Sequence, residues 1–368
     1  MICSDILKQE EKAAFQLRSL YRSFGYLPYK MSKFEEYEYY IRNKDFLVSD
    51  RFITFNDTNG KLMALKPDVT LSIIKNCRLT PGCKQKVCYD ENIYRPSRNS
   101  RQFKEIRQAG LECIGDIDLY DIFEVVTLAA RSMEALGQDY VLQISHLGIL
   151  SELLQSACPD TGFCQAAISC IAEKNEHDLL RLCRQWNVAP EDQQRLCCFL
   201  GLYGDPKSVL RQLRSLCAGL AEEALAELTQ ISALLEETSY ASRIHLDFSV
   251  VNNMSYYDGI VFTGFLSGIS GGILAGGQYG KLMRKLGCSA NAIGFALYLD
   301  LLEQLPSPGQ GYDVDVLLVY DSASDPGVVA RKVAELTAAG KTVSAQRSIP
   351  QKLRYRQLIR LDKEDVSC

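Results

Sequence analysis

The sequence predicts an α+β protein in which helices flank a mainly antiparallel sheet. Residues 52–65 contain two apolar runs joined around Asn59-Gly60, a dipeptide typical of hairpin turns. Residues 86–95 and 108–115 are two further strand-like stretches on either side of a polar loop. Between about 147 and 240 the alternation disappears and the apolar spacing becomes helical. A helical segment therefore separates the first group of strands from strands predicted at 243–270.

Other helices are predicted from amphipathic spacing and from their end signals. The chain opens with a helix over about residues 4–24 that ends before Gly25, and a second helix begins near Asp68. Residues 121–137 form a helix closed by Gly137. The apolar run 292–305 is also predicted to be a helix.

The glycine-rich stretch 268–280 suggests a phosphate-binding loop at first sight. Leu282 follows Gly280-Lys281 where such a loop needs Ser or Thr, and the G-x-G-x-x-G spacing is absent. A tight turn that lets the backbone approach a ligand is the favoured interpretation.

Two domains are expected, because residues 306–311 have the composition of a linker. The larger one covers residues 1–310. Residues 311–368 follow as a short βαβ appendage with a strand near 313–320, a helix over 325–339, a second strand and a basic tail. An appendage of this length is small for an independent domain.

Composition narrows the possible functions. The net charge of −4 argues against a dedicated nucleic-acid binder, and no apolar run is long enough to predict a membrane span. The first segment lacks the apolar core of a signal peptide, so the 14 cysteines are expected to be reduced thiols in the cytoplasm. Neither the cysteine spacings nor the three histidines form a metal-ligand pattern, and no cofactor is predicted.

Candidate site residues are distributed over several predicted elements. Asp68 and Thr70 lie at a helix start, whereas Arg95, Gln108 and Glu112 lie on the paired strands. Taken singly, each could be a helix cap, a surface ion pair or a solvated strand residue. Their order within one antiparallel pattern favours a shared site. Residues 250–259 add two adjacent tyrosines without any cation, a surface that suits binding better than chemistry.

These stretches resemble, in order, the catalytic domain of class II histidyl-tRNA synthetases over roughly residues 1–305. The matching stretches are LKPDVT (65–70), ENIYRPSRNSRQFKEIRQAGLECIG (91–115), LQISHLG (142–148), NNMSYYDGIVF (252–262), GGQYGKL (276–282) and AIGFALYLDLL (292–302). The resemblance implies a class II aminoacyl-tRNA synthetase-like fold, with a tail similar to a shortened anticodon-binding domain.

The same resemblance implies a histidine-binding pocket. Its residues would be Asp68, Thr70, Arg95, Gln108, Glu112, Tyr256, Tyr257 and Tyr279. In that pocket Glu112 would accept an imidazole N–H, Asp68 would pair with the ammonium group, and Tyr256 and Tyr257 would flank the ring.

The departures from the synthetase pattern concern cations. The resemblance places Asn252 where the family has an arginine that helps to activate histidine, and Ala296-Leu297 where motif 3 has Glu-Arg. Gln278 occupies the position at which the family's glycine-rich signature has a further arginine. Since adenylyl transfer depends on such cations, amino-acid activation by this chain is not expected.

A chain that has the amino-acid pocket of the synthetases but lacks their ATP-binding cations resembles the regulatory subunits of ATP phosphoribosyltransferase. These subunits are paralogues of the synthetases. That resemblance implies a short-form catalytic subunit as partner, a homodimer within a hetero-octamer, and feedback by histidine in the first step of histidine biosynthesis. Binding of tRNA is not expected. Two alternatives stay open: a functional histidyl-tRNA synthetase with divergent motifs, and a synthetase-like paralogue acting on another protein or metabolite.

Overall fold

The computed structural model describes residues 7–47, 49, 51–78, 82–96, 102–137, 139–251, 254, 256–305 and 311–361. The chain divides into two compact units, with the boundary between Leu305 and Pro306. The interpretation of the second unit as a truncated anticodon-binding domain stays a prediction.

The first unit is built on a nine-stranded sheet in the order β1-β5-β6-β12-β11-β10-β7-β9-β8. Its strands are β1 (Leu27–Pro28), β5 (Gln85–Pro96), β6 (Phe103–Gly115), β7 (Tyr140–His146), β8 (Tyr203–Gly204), β9 (Ile244–Asp247), β10 (Ile260–Leu266), β11 (Gly272–Gln278) and β12 (Asn291–Tyr298).

The central strands of this sheet are antiparallel, as predicted. Pairing is antiparallel from β5 through to β7, whereas β1 joins β5 and β9 joins β7 in parallel. The longest hairpin is formed by β5 and β6, which pair from Gln85–Ile114 to Pro96–Phe103. The four adjacent strands β5, β6, β12 and β11 together provide a broad platform for the site.

Helices cover one face of the platform. Helix α4 (Leu119–Leu136) ends at Gly137, as the sequence predicts, and the Gly137 N–H bonds to the Met133 carbonyl. The helix starts two residues before the predicted start, and the Asp118 side chain caps its first turn. It packs against α1 (Gln9–Ser23) and against β10 and β12. Leu111 and Cys113 of β6 point into this helix-side core. Alternate residues of the same strand, such as Glu112, therefore point to the opposite face.

The predicted helical segment follows β7 and ends before β9. Its helices are α5 (Leu147–Ala157), α6 (Thr161–Ala172), α7 (Glu176–Gln185), α8 (Pro190–Leu200), α9 (Pro206–Cys217) and α10 (Glu222–Glu236). They share the helix-side core, and only the two-residue strand β8 interrupts the helical pattern.

A second core lies on the opposite face of the platform. It includes the short antiparallel sheet of β2 (Phe34–Glu36), β4 (Leu62–Leu65) and β3 (Thr54–Asn56), together with α2 (Tyr37–Arg42), α3 (Val69–Lys75) and α11 (Gly280–Lys285). The predicted hairpin is confirmed as β3–β4, and its turn places Gly60 at φ 78°, a conformation that favours glycine.

Two sequence interpretations of the C-terminal half are wrong. The run predicted as a helix over 292–305 is mostly strand β12, followed by a 3-10 helix at Leu299–Gln304. A continuous apolar run is compatible with a helix or with a strand buried on both faces, and the central position of β12 explains the second outcome. Residues 272–278 of the glycine-rich stretch likewise form β11, so the turn is confined to 267–271.

The second unit contains a parallel three-stranded sheet in the order β14-β13-β15. Its elements are β13 (Val314–Val319), α12 (Pro326–Ala338), β14 (Val343–Gln346) and β15 (Tyr355–Arg360). The βαβ pattern is confirmed, but the stretch predicted as a basic tail contributes the third strand, β15. None of the helices in the described ranges combines enough length with enough apolar character to span a membrane.

Candidate functional site

A pocket of about 390 Å³ opens on the face of the platform that lies away from α1 and α4. All eight residues predicted from the sequence line it: Asp68, Thr70, Arg95, Gln108, Glu112, Tyr256, Tyr257 and Tyr279. Two of them come from the start of α3, three from β5 and β6, and three from the segment before β10 and the end of β11. The structure thus brings together residues that are up to about 200 positions apart in sequence.

Glu112 forms the deep end of the pocket and is only 2% exposed. Its Oε1 accepts a hydrogen bond from Thr70 Oγ1 at 2.7 Å, and its Oε2 accepts one from the Tyr279 hydroxyl at 2.6 Å. Burial raises the pKa of Glu112 to about 8, against the effect of the two hydroxyls, and the nearby charge of Asp68 adds to the rise. The carboxyl group is therefore largely protonated at neutral pH in the ligand-free pocket.

Asp68 and Arg95 form an ion pair at the side of the pocket. Asp68 Oδ1 caps α3 by accepting from the Leu71 N–H at 2.9 Å, and Oδ2 accepts from Arg95 Nη2 at 3.1 Å. Arg95 Nε donates to the Pro67 carbonyl at 2.6 Å. Both charges are thus partly neutralised before any ligand enters, and a ligand ammonium would share Asp68 with Arg95.

Small residues on β11 and β12, namely Ala275, Gly294 and Ala296, form part of the pocket lining. Gly110 pairs with Ala296, and Glu112 pairs with Gly294. A Cβ atom at Gly294 would overlap the Glu112 carboxylate and the Leu111 carbonyl, whereas one at Gly110 would overlap the Phe295 carbonyl. Glycine at position 294 leaves space for the Glu112 side chain, and glycine at position 110 leaves space for the Tyr89 ring.

Tyrosines form the remaining walls. The rings of Tyr256 and Tyr257 lie 4.7 Å apart at 54°, and Tyr279 lies 5.7 Å from Tyr256. Burial raises the pKa of all three hydroxyls well above the ordinary value, so each is a neutral hydrogen-bonding group at physiological pH. The pocket can therefore enclose a small planar polar group. Its binding to histidine stays a prediction.

Sequence reasoning missed two tyrosines that also line the pocket. Tyr89 lies on β5, six positions before Arg95, and Tyr298 pairs with Gln108 across β12 and β6. Strand periodicity could have identified both, since residues an even number of positions apart share a face. Tyr298 lies in the run that was predicted to be a helix, so the face of the sheet to which its side chain points was not predicted.

Two of the positions interpreted as lost arginines, Leu297 and Gln278, are not among the residues that line this pocket. Leu297 is fully buried in the helix-side core, on the face of β12 away from Glu112. Gln278 also points to that side, where its Oε1 accepts from the Ile260 N–H at 2.5 Å. Ala296, the other residue interpreted from motif 3, does line the pocket. Asn252 lies outside the described residues.

Gln278 belongs instead to a connection between the sheet and α10. Its Nε2 donates to Glu227 Oε1 at 3.4 Å, and Glu227 Oε2 is 2.9 Å from His146 Nε2. Since His146 Nδ1 accepts from the Gly148 N–H, its Nε2 carries the proton donated to Glu227. Burial disfavours the Glu227 anion, but the bonds from His146 and Gln278 outweigh it and its pKa is lowered. These residues line a second cavity of about 340 Å³.

Comparison with known proteins identifies the family. The family model described as histidyl-tRNA synthetase matches residues 4–302. The chain belongs to this family. The residues that line the pocket described above all lie within the matched region. Within the described residues, no group of three or more His, Cys, Asp or Glu side chains is placed to hold a metal ion.

Several relatives carry a more specific description. An ATP phosphoribosyltransferase regulatory subunit from Oceanobacillus iheyensis is 27% identical over 340 residues, covering 90% of this chain and 83% of the relative. One from Alkaliphilus metalliredigens is 28% identical over 295 residues, covering 78% and 74%. The predicted resemblance to these regulatory subunits is confirmed.

A solved structure supports the fold. A protein from Bacillus halodurans, described as an ATP phosphoribosyltransferase regulatory subunit/histidyl-tRNA synthetase, superposes with a TM-score of 0.75 at 23% identity, covering 96% of this chain and 93% of that one. At this identity the comparison concerns the fold alone. The class II synthetase-like architecture predicted from the sequence is confirmed.

Proposed function

We propose that the chain is a non-catalytic regulatory subunit of ATP phosphoribosyltransferase. In this role it binds and activates a short-form catalytic subunit and transmits feedback by histidine in the first step of histidine biosynthesis. The names of the relatives support the proposal. A chain of a complex from Thermotoga maritima, described as an ATP phosphoribosyl transferase (HisG:HisZ) complex, has the same fold, with a TM-score of 0.63 at 19% identity, covering 79% of this chain and 97% of that one.

The observation that carries the proposal is that Arg95 is already paired with groups of the protein. Among the described residues that line the pocket, Arg95 is the only cation, and it already donates to Asp68 and to the Pro67 carbonyl. Adenylate formation requires positive groups against the developing charge of the phosphates. A pocket whose cation is already paired suits a small zwitterion better than a nucleoside triphosphate.

Histidine fits the remaining chemistry of the pocket. Its ammonium and carboxylate groups carry the charges that Asp68 and Arg95 can pair with, and its ring can reach the carboxyl group of Glu112. Gln108, Tyr256, Tyr257 and Tyr279 supply neutral hydrogen-bonding groups around it.

Assembly is part of the proposal. We expect the chain to form a homodimer through the helix and strands of residues 4–40 and to recruit catalytic subunits into a hetero-octamer in the cytoplasm. Light scattering on the chain alone and after mixing with a short-form catalytic subunit measures both steps. A monomer that is unchanged by the catalytic subunit contradicts the assembly.

The functional test is reconstitution. A short-form catalytic subunit from the same genome is assayed for phosphoribosyl-ATP formation with and without this chain, and then with added histidine. We expect activation on mixing and inhibition by histidine. A catalytic subunit that gains no activity in a demonstrated complex would rule out the activating role.

The alternative is a functional histidyl-tRNA synthetase, because the family model that matches the chain carries that description. Pyrophosphate exchange dependent on histidine, ATP and magnesium distinguishes the two functions. We expect no exchange above background from the purified chain, and no aminoacylation of tRNA. Exchange at the rate of a control synthetase, measured in parallel, overturns the regulatory proposal.

A further inference from the structure

We propose that Glu227 of α10 is a positioning residue for the ligand pocket, and that through it the helical segment and the occupied pocket stabilise each other. Glu227 holds Gln278, and Gln278 joins the two stretches of chain that carry three tyrosines of the pocket wall. The inference rests on the proposed function, because the ligand is the histidine assigned to the pocket there. It adds a residue outside the pocket that sets ligand affinity, and a helix that responds to the ligand.

Gln278, the last residue of β11, is bonded to the stretch of chain that leads into β10. Its backbone carbonyl accepts from the Asp258 N–H at 3.1 Å, and its Oε1 accepts from the Ile260 N–H at 2.5 Å. Gly259 lies between these two donors, and a Cβ atom there would overlap the Gln278 side chain. The Gln278 amide is thus packed directly against the backbone. We call residues 258–260 together with Gln278 the junction.

The pocket tyrosines directly adjoin the junction. Tyr256 and Tyr257 precede it, and Tyr279 follows Gln278. All three line the pocket, and the rings of Tyr256 and Tyr279 lie 5.7 Å apart although they come from different strand ends. Because the backbone and two torsions fix the position of a tyrosine ring, the junction sets the spacing of these walls.

Glu227 fixes the orientation of the Gln278 amide. Since Oε1 of this amide accepts from Ile260, its Nε2 is the donor, and Glu227 Oε1 accepts from it at 3.4 Å. The other carboxylate oxygen of Glu227 accepts from His146 Nε2 at 2.9 Å. His146 is only 5% exposed, and its Nδ1 accepts from the Gly148 N–H. Every donor in this series meets an acceptor, so none of these side chains can turn without breaking a bond.

Glu227 acts from outside the pocket. Helix α10 packs against α4, α5 and α9, and none of the described residues that line the pocket belongs to the helical segment. The junction is therefore the route by which Glu227 affects the ligand. By thermodynamic linkage, a contact that favours the ligand-binding arrangement of the tyrosines is itself favoured when the ligand binds. Histidine should thus stabilise α10 around Glu227 against local opening.

The first test removes the hydrogen bond between Glu227 and Gln278 and then restores it. Glu227→Gln places two amides opposite each other, and Gln278→Glu places two carboxylates there. In the double variant Glu227→Gln/Gln278→Glu the amide and the carboxylate exchange places, and every donor again meets an acceptor. By calorimetry we expect each single variant to bind histidine about three- to tenfold more weakly than the parent, and the double variant to recover to within about twofold.

The second test is amide hydrogen exchange with and without histidine, a comparison that a purely structural role of Glu227 would leave unchanged. In the parent, histidine should slow exchange in the turns of α10 around Glu227. In both single variants this slowing should disappear, and in the double variant it should return. The matched control is Glu223→Gln, the same substitution one turn earlier on α10, at an exposed residue lining the same second cavity. It should behave as the parent in both tests.

The outcomes separate this inference from the proposed function. Single variants that bind histidine as the parent does, or a double variant that binds no better than they do, overturn the positioning role and leave the regulatory role standing. Exchange in α10 that bound histidine does not change overturns the mutual stabilisation, and this measurement on the parent decides if the variants do not fold. Absence of histidine binding by the chain and by its complex overturns the inference too, while activation of the catalytic subunit is judged by its own assay.

Discussion

Asp68 accepts a hydrogen bond from Arg95 Nη2 at 3.1 Å with the same carboxylate that caps α3. One side chain thus connects the start of a helix to the end of strand β5 and fixes the position of the only cation among the described pocket residues. The two charges lie side by side at the pocket wall, an arrangement complementary to the ammonium and carboxylate groups of a free amino acid.

The two roles of Asp68 can be separated by substitution. Asp68→Asn removes the charge that pairs with Arg95 but keeps an oxygen that can cap α3, whereas Asp68→Ala removes both. Because loss of an N-cap typically costs about 1 kcal/mol, we expect Asp68→Ala to unfold at lower urea concentration than Asp68→Asn by that difference. Equal stability of the two variants would show that the cap contributes nothing.

Glu112 should make stability depend on pH. Its pKa is raised in the folded chain from 4.5 to about 8, so the folded state holds a proton that the unfolded state has lost within this range. The stability contributed by the protonated form is complete below pH 4.5 and is lost as the pH rises towards 8, by up to about 1.4 kcal/mol per pH unit. Urea unfolding at pH 5.5, 6.5 and 7.5 should show this loss in the parent relative to Glu112→Gln. Parallel profiles would contradict the buried, protonated carboxyl group.

Gly294 should tolerate no side chain. A Cβ atom there overlaps the carboxylate of Glu112 and a backbone carbonyl, and a backbone contact cannot be relieved by a rotamer change. We expect Gly294→Ala to lower the free energy of unfolding by about 1–3 kcal/mol and to weaken histidine binding.

Gly201 provides the control for that substitution. It ends α8 at φ −82°, and a Cβ atom there would be 3.6 Å from its nearest neighbour. Gly201→Ala should change neither stability nor binding measurably. A similar loss in both variants would show that the effect at Gly294 is not specific to the pocket.

The assignment of residues to the two faces of β12 can be tested by placing arginine on each face. Leu297 is fully buried against the helix-side core, so Leu297→Arg places an unpaired charge there and should destabilise the chain by about 3–5 kcal/mol. Ala296→Arg, one position earlier, adds its charge at the pocket and should leave the fold intact. Chemical denaturation compares them. Equal tolerance of both changes would mean that the assignment of faces is incorrect.

The sequence predicted the pocket residues better than the elements that carry them. The order of Asp68, Thr70, Arg95, Gln108 and Glu112 within one antiparallel pattern favoured a shared site, and the resemblance to histidyl-tRNA synthetases implied the full set with the tyrosines. The structure brings all of them to one pocket.

The failures have a common physical cause. Buried central strands and buried helices both appear as unbroken apolar runs, so β12 was taken for a helix and the direction of Leu297 and Tyr298 was lost with it. Strand β15 was missed because its residues, YRQLIR, are largely polar and neither their polarity nor their burial alternates along the strand. For both strands, the structure depends on which neighbouring elements cover each face of the strand. The spacing of apolar residues in the sequence does not contain that information.

The connection between β7 and β9 has a consequence for how this architecture can vary. These strands are parallel neighbours, and a crossover of about a dozen residues with one helix is enough to join such a pair. Residues 147–243 make the same link through six helices, at the end of the sheet away from β5, β6 and β12. The inner faces of these helices belong to the helix-side core, and Glu227 of α10 bonds to Gln278 on β11, so it is the outer surface of the segment that can change while the platform keeps its register. A partner could come to recognise this part of the chain without any change in the strands that hold Glu112.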